Sequence, residues 1–369
     1  MPPDVQEHFL FFARSGKVRR AVRAVLLLAV MHAPASFASP GAQSSPGAPV
    51  PVNDSNFSRA ESDLYFSETV KAGGFGKLNH NREMTPIDKQ TVVRMNRDTL
   101  YSAGVFDLDA APVTITLPDP GKRFMSMEAI SEDQYAIDVV YAPGRYTYTK
   151  DKVGTRYVLF GIRTLADPEN PADLKAANAL QDEIKVEQAS TGTFEVPNWD
   201  SKSQGEVRDA LAARAPQLSS SAVMFGTKTQ VDPTAHLIGT AIGWGGNPPS
   251  AALYKSVFPK QNDGSTVYRL TVKDVPVDGF WSISVYNAKG YFEKNALGAY
   301  SVNDITARPN SDGSITVQFG GCAKATPNCL PITPGWNYMV RMYRPGKAIL
   351  DGNWQFPEAV PVRSTTHAF

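Results

Sequence analysis

VVRMNRDTLYSAGVFDL, residues 92–108, sets Arg94, Asn96, Arg97, Asp98, Tyr101 and Ser102 directly before the apolar Val105, Phe106 and Leu108. A polar cluster thus runs into an alternating, β-prone segment. Polar side chains at the mouth of a strand are held rigidly enough to form a site. Asn and Asp also bond to nearby backbone in turns, and an Arg–Asp pair often does no more than hold a chain reversal. Both readings stand at this level: the border of a ligand cavity, or a structural turn.

Outward from this stretch, apolar runs alternate with turn signals. Strands are expected over 113–117, 124–130, 136–141, 146–149 and 157–165, parted by PDPG at 118–121, APGR at 142–145 and DKVG at 151–154. Each separator holds residues that bend a chain for a stated reason, so consecutive strands are expected to pair antiparallel. Pro168, Pro171 and Asp173 then precede LKAANALQDEIKVEQA, 174–189, which mostly follows a helical stripe. Further helices are expected over 58–70, capped by Asp54 or Ser55, and over 206–215. KAGGFGK at 71–77 lacks the Lys-Ser/Thr ending of a phosphate loop and reads as a turn.

Residues 231–246 are ambiguous between a helix and a buried connector. They contain His236, a candidate for acid–base chemistry whose plainer reading is a hydrogen-bonded core histidine. Beyond residue 266 the runs 267–272, 279–286, 314–319 and 336–342 alternate apolar with polar residues, as half-buried strands do. NSDG at 310–313 reads as a hairpin turn before the third of them. The expected fold is mainly β with helical insertions (α+β): an antiparallel β domain followed by a β-sandwich or jelly-roll-like domain.

The stretch 92–135, with its core Asn96, Asp98, Thr99, Tyr101 and Ser102, and GTRYVLFGIRTLADPENPADLKAANALQDEIKVEQ resemble the domain-of-unknown-function family numbered 1254. DVPVDGFWSISVYNAKGYFEKNALGAYSVNDIT, DGSITVQFGG and LPITPGWNYMVRMYRP are similar to the family numbered 1214, with Phe280, Trp281, Ser282, Tyr286 and Asn287 as the most specific portion. The tandem order implies a two-domain architecture and no particular reaction.

The first 38 residues read as a cleaved secretory signal. Arg14, Lys17, Arg19, Arg20 and Arg23 are basic, AVLLLAVM at 24–31 is apolar, and Ser36-Phe37-Ala38 suits cleavage. A disordered Ser/Pro/Gly/Ala linker over 39–52, an N-terminal domain over 53–230 and a C-terminal β domain over 231–369 are expected to follow. Cys322 and Cys329 are the only cysteines, and in an exported, periplasmic or extracellular chain they are expected to form a disulfide. Lys and Arg number 37 against 36 Asp and Glu, and the first 38 residues carry five of the former and two of the latter, so the remainder is slightly negative. That balance excludes electrostatic steering of nucleic acid, and no membrane-spanning segment is expected after signal removal.

Nucleophile-elbow, zinc and cofactor motifs are absent, so no metal or cofactor is expected. His80, His236 and His367 are the histidines beyond residue 38, and Glu128, Glu132, Asp133 and Asp138 offer carboxylate chemistry near the Asn96 cluster. The candidate ligand-binding residues are Arg94, Asn96, Asp98, Tyr101, Trp281, Tyr286 and Asn287, brought together at the contact between the domains. The function expected is binding of a small molecule in an interdomain cleft. The alternative is a hydrolase-like enzyme using Asp98, Tyr101 or His236 without a standard triad.

Overall fold

The computed structural model describes residues 48–90, 94–218 and 222–362. The expected signal sequence, most of the linker and His367 lie outside these residues. In the first half α1 (Phe57–Lys71) precedes β1 (Asn79–His80), β2 (Thr99–Asp107), β3 (Val113–Leu117), β4 (Met125–Ser131), β5 (Ala136–Tyr141) and β6 (Gly144–Tyr148). The short α2 (Lys150–Val153), β7 (Tyr157–Leu165), α3 (Pro171–Asp182), β8 (Lys185–Gln188), α4 (Ser201–Ala212) and α5 (Pro233–Gly243) follow. The second half holds β9 (Ala252–Val257), β10 (Tyr268–Val272), β11 (Trp281–Tyr286), β12 (Ser301–Asn303), β13 (Ile315–Phe319), β14 (Cys329–Leu330), β15 (Asn337–Tyr343), α6 (Lys347–Leu350) and β16 (Val360–Pro361). The protein is mainly β with helical insertions, as expected.

Strand neighbours differ from a simple meander. The five-stranded sheet runs β1-β2-β7-β4-β5, while β3 leaves it to pair with β6 and β8 in a separate three-stranded sheet. The two sheets share a core in which Phe106, Met127, Phe160 and Ile162 meet Val113, Ile115, Leu117 and Tyr148. Consecutive strands therefore face each other across a core more often than they pair edge to edge, because both sheets need an apolar partner.

The helix expected over 174–189 is half right. It begins earlier, with the Asn170 side chain accepting from Ala172 and Asp173 N–H and Pro171 in the first turn, and it stops at Asp182. Residues 185–188 change to a period of two and pair antiparallel with β3, placing Val186 against the core. The cap of α1 also moves: Asn56 takes the position, with no side-chain bond to the helix. The ambiguous 231–246 resolves as a helix capped by Asp232, which accepts from Ala235 N–H.

Two boundaries shift with packing. Val50 bridges to Trp199 and Val52 is buried, so ordered contacts start inside the expected linker. Ile238, Ala241 and Ile242 of α5 pack with Phe57, Ala60 and Leu211, so this helix sides with α1 and α4 of the first half instead of the C-terminal domain.

The second half is built on the sheets β14-β13-β10-β16 and β12-β11-β15-β9. Their facing residues form one core, with Leu270, Val317 and Phe319 against Trp281, Ile283, Tyr338 and Val340. The NSDG turn is present, with Asn310 N–H donating to the Ser314 carbonyl, but β12 and β13 on its two sides belong to opposite sheets. Cys322 and Cys329 form a disulfide with S–S 2.06 Å.

Candidate functional site

Every residue of β11 and β15 is buried, a departure from the half-buried strands expected from their alternation. The apolar set apart from Met339 faces the sandwich core; on the other face Ser282, Tyr286, Met339, Arg341 and Tyr343 meet residues 94–98 and Phe124 of the first domain. The covering element is the turn at residues 94–98, started by Arg94 in the left-handed region at φ 52°. Side-chain period, not solvent, explains why the second face is polar: it receives backbone and side chains from another domain.

Asp98 is completely buried. Its carboxylate accepts from the Ser282 hydroxyl at 2.6 Å and the Asn303 amide at 3.2 Å. Burial pushes its pKa up, while Arg341 and these two donors oppose the rise. Arg341, also fully buried, donates to the Ser284 hydroxyl, the Arg94 carbonyl and the Tyr286 hydroxyl at 2.7–2.9 Å, and Tyr286 in turn donates to the Met95 carbonyl at 2.9 Å. Asp98, Tyr286 and Arg341 thus join the domains, with the carboxylate and phenol both bonded into the junction.

Arg94 donates to the Ser256 hydroxyl at 3.1 Å and lies over the Phe258 ring. Trp281 packs in the sandwich core against Phe356, away from this junction. Asn287 shapes its own turn, accepting from Lys289 and Tyr291 N–H and donating to Glu293. His236 is buried between the Asp133 and Met224 carbonyls at 2.9 and 3.2 Å and stacks on Tyr135, which ties α5 to the β4–β5 turn. Burial lowers its pKa. The Ser102 hydroxyl meets His80 Nδ1 at 2.7 Å, but Ser102 is fully buried and also accepts from Gln181 at 3.1 Å, which closes it to a substrate.

What remains open is the face of the five-stranded sheet next to this junction. Register places Tyr101, Arg163, Ser126 and Tyr141 in one row and Ala103, Gly161, Glu128 and Val139 in the next. The row beyond, Val105, Leu159 and Ile130, is roofed by Phe66 and Trp244, while Tyr254, Phe280 and Tyr343 of the second domain pack over the other end. Between the two roofs Tyr101, Ala103, Gly161, Arg163 and Val139 keep accessible surface. Gly161 sits in the central strand, and a Cβ there would meet only Leu159 Cδ2, at 3.9 Å. A glycine in mid-strand with room above it leaves a hollow in the sheet surface.

Glu128 lies directly across from Gly161 on the same face of the sheet. One carboxylate oxygen accepts from Arg163 at 3.0 Å; the other is buried and has no hydrogen-bond partner. Burial raises the Glu128 pKa and Arg163 opposes the rise. Asn96 orients the rim: its carbonyl accepts from Asp98 N–H at 2.9 Å, so its amide nitrogen faces the hydroxyls of Tyr101 and Tyr343 at 3.1 and 3.2 Å. Asn247 donates to the Tyr254 hydroxyl at 3.1 Å.

Of the four carboxylates named from sequence, Glu128 alone borders the hollow. Glu132 accepts from Tyr157 N–H, Asp133 pairs with Arg59, and Asp138 pairs with Lys152. Sequence reasoning missed Gly161, Arg163, Tyr254 and Tyr343. A glycine and an arginine inside the apolar run YVLFGIRTL were the signal available for the first two.

Residues 75–152 match the family model described as protein of unknown function (DUF1254), and residues 258–347 match protein of unknown function (DUF1214). Both expected family models are matched, in the expected order. The VPA0106 protein from Vibrio parahaemolyticus shares the fold at TM-score 0.64 and 19% identity, over 84% of this chain and 98% of that one. An uncharacterised protein from Burkholderia cenocepacia gives TM-score 0.45 and 14% identity over 79% and 84% of the two chains. None of the curated proteins matches the sequence. The DUF1254 match includes Tyr101 and Glu128, whereas Arg163 lies beyond it and Tyr343 falls in the DUF1214 match, so the hollow draws on both domains.

Proposed function

We propose that this is an exported protein that binds a small molecule between its two domains, in the hollow over Gly161. The observation that carries the reading is the unpartnered, buried oxygen of Glu128, the cross-strand neighbour of Gly161, where the sheet face is open. A buried acceptor without a donor is costly, and a ligand that supplies the donor removes the cost. Junctions between domains are common places for such sites. Tyr101, one of the residues singled out from sequence, belongs to this site, while Asp98 and Tyr286 hold its two walls together.

Mass spectrometry of small molecules released from the purified protein tests the reading. A compound carried by the wild type and lost from a folded Gly161→Val variant is the expected result. Identical binding of the same compound by that variant would refute it. For export, amino-terminal sequencing of protein recovered outside the cytoplasm is expected to begin after Ala38, and a start at Met1 would count against it.

A further inference from the structure

The hollow carries an unequal set of hydrogen-bonding groups. The Tyr101 and Tyr343 hydroxyls each accept from Asn96, so the proton of each is directed elsewhere, and neither has a protein acceptor among the described residues. Arg163 bonds to Glu128 through one nitrogen and lies against the Tyr101 ring, with 12% of its side chain accessible. Its remaining N–H groups add to the donors. Against these stands one acceptor, the free oxygen of Glu128. The donors outnumber it, and they cluster round a guanidinium.

We propose, resting on the ligand reading of this hollow, that its occupant is a small carboxylic acid whose carboxyl oxygens accept from Tyr101, Tyr343 and Arg163 and share one proton with Glu128. Two facing carboxyl groups hold together only when one proton lies between them, so the carboxylate form takes up a proton from water as it binds. An amine would satisfy Glu128 but leave both phenol protons without acceptors and set a second cation beside Arg163. An amide could satisfy donors and acceptor alike but brings no charge to the guanidinium.

The groups that face Glu128 and its partner Arg163 are consistent with this linkage. Arg163 comes from β7, Tyr101 from β2, Tyr141 from β5, and Tyr254 and Tyr343 from β9 and β15. Arg163 is held in its charged form by Glu128, and burial pushes Tyr141, Tyr254 and Tyr343 up, so they stay neutral. Glu128, with its own pKa raised by burial, is the group placed to accept the proton.

The test is calorimetric titration with acetate, propionate and benzoate, and with acetamide, propionamide and benzamide as neutral counterparts. Two buffers of different protonation enthalpy are used, from about pH 5 to about pH 9. The acids are expected to bind at least about tenfold more tightly than their amides and, above the Glu128 pKa, with uptake of one proton. Above the Glu128 pKa, affinity falls by about tenfold per pH unit. Glu128→Gln abolishes the uptake and the pH dependence. Should that variant fail to fold with Arg163 unpaired, Tyr101→Phe serves instead and weakens acid binding about tenfold without lowering Tm.

Amides binding as tightly as acids, binding above the Glu128 pKa without proton uptake, or no binding by any of the acids would each overturn the proposal. Gly161→Val separates this failure from failure of the ligand reading. If another compound binds the wild type and not Gly161→Val, the hollow stands as a site and the acid assignment falls. If that variant binds every compound as the wild type does, both fall.

Discussion

Asp98 and Glu128 are both buried carboxylates, and what surrounds each decides its role. Asp98 has donors on both oxygens, from a different strand in each case. Asp98→Asn removes two charge-assisted bonds and turns an N–H toward another donor, so a loss of about 1.5–3 kcal/mol is expected in urea denaturation. Asp63 is a third case. Its pKa is raised to about 7, first by burial, with the Trp199 N–H opposing and Glu132 adding to the rise. Since the folded value lies above the unfolded one, its contribution is fully present below about pH 4 and is lost as pH rises through about 7. Asp63→Asn is therefore expected to stabilise the protein at high pH, by on the order of 4 kcal/mol at most, and to flatten the stability profile over that window. Equal gains at low and high pH would contradict the linkage.

Among the elements, β7 is informative because its central position requires pairing on both edges while Gly161 leaves one face uncovered. Gly→Val in a strand removes an entropic cost and adds a β-prone side chain. Gly161→Val is expected to raise stability by about 0.5–1 kcal/mol in denaturant titration, even as it fills the hollow. A fall of several kcal/mol would mean that the space is already occupied by protein. The loop between β13 and β14 is closed by the disulfide over a separation of 7 residues. So short a loop limits the loss from Cys322→Ser with Cys329→Ser to about 2–3 kcal/mol, checked by the shift in denaturation midpoint.

For the whole molecule, the junction through Arg341 determines whether the two domains unfold together. Its guanidinium reaches the 94–98 turn of the first domain and Ser284 and Tyr286 of the second. Arg341→Met leaves Asp98 without its balancing charge and several acceptors without donors. A loss of about 3–5 kcal/mol is expected, with fluorescence and circular dichroism transitions that no longer coincide. Coincident transitions with little loss would show that apolar contact alone couples the domains. Phe280 stacked on Tyr343 at 4.3 Å, with Phe124 of the first domain 5.1 Å from Phe280, supplies that apolar share.

Periodicity and turn chemistry determined what the chain could form locally. The runs 113–117, 136–141 and 157–165 are strands as read, the paired cysteines are bonded, and the polar stretch before β2 does meet the strand beginning at Trp281. These features depend on neighbours close in sequence, or on motifs whose tandem order was recognisable. Tertiary structure alone decided that residues 185–188 extend a sheet instead of a helix, that Trp281 faces a core while Ser282 faces Asp98, and that α5 joins the first domain. It also assembled Tyr101, Glu128, Gly161, Arg163 and Tyr343 around one space. Strand order and domain docking bring those residues together, and neither leaves a periodic trace in the sequence, because the burial of a polar face depends on which distant surface comes to cover it.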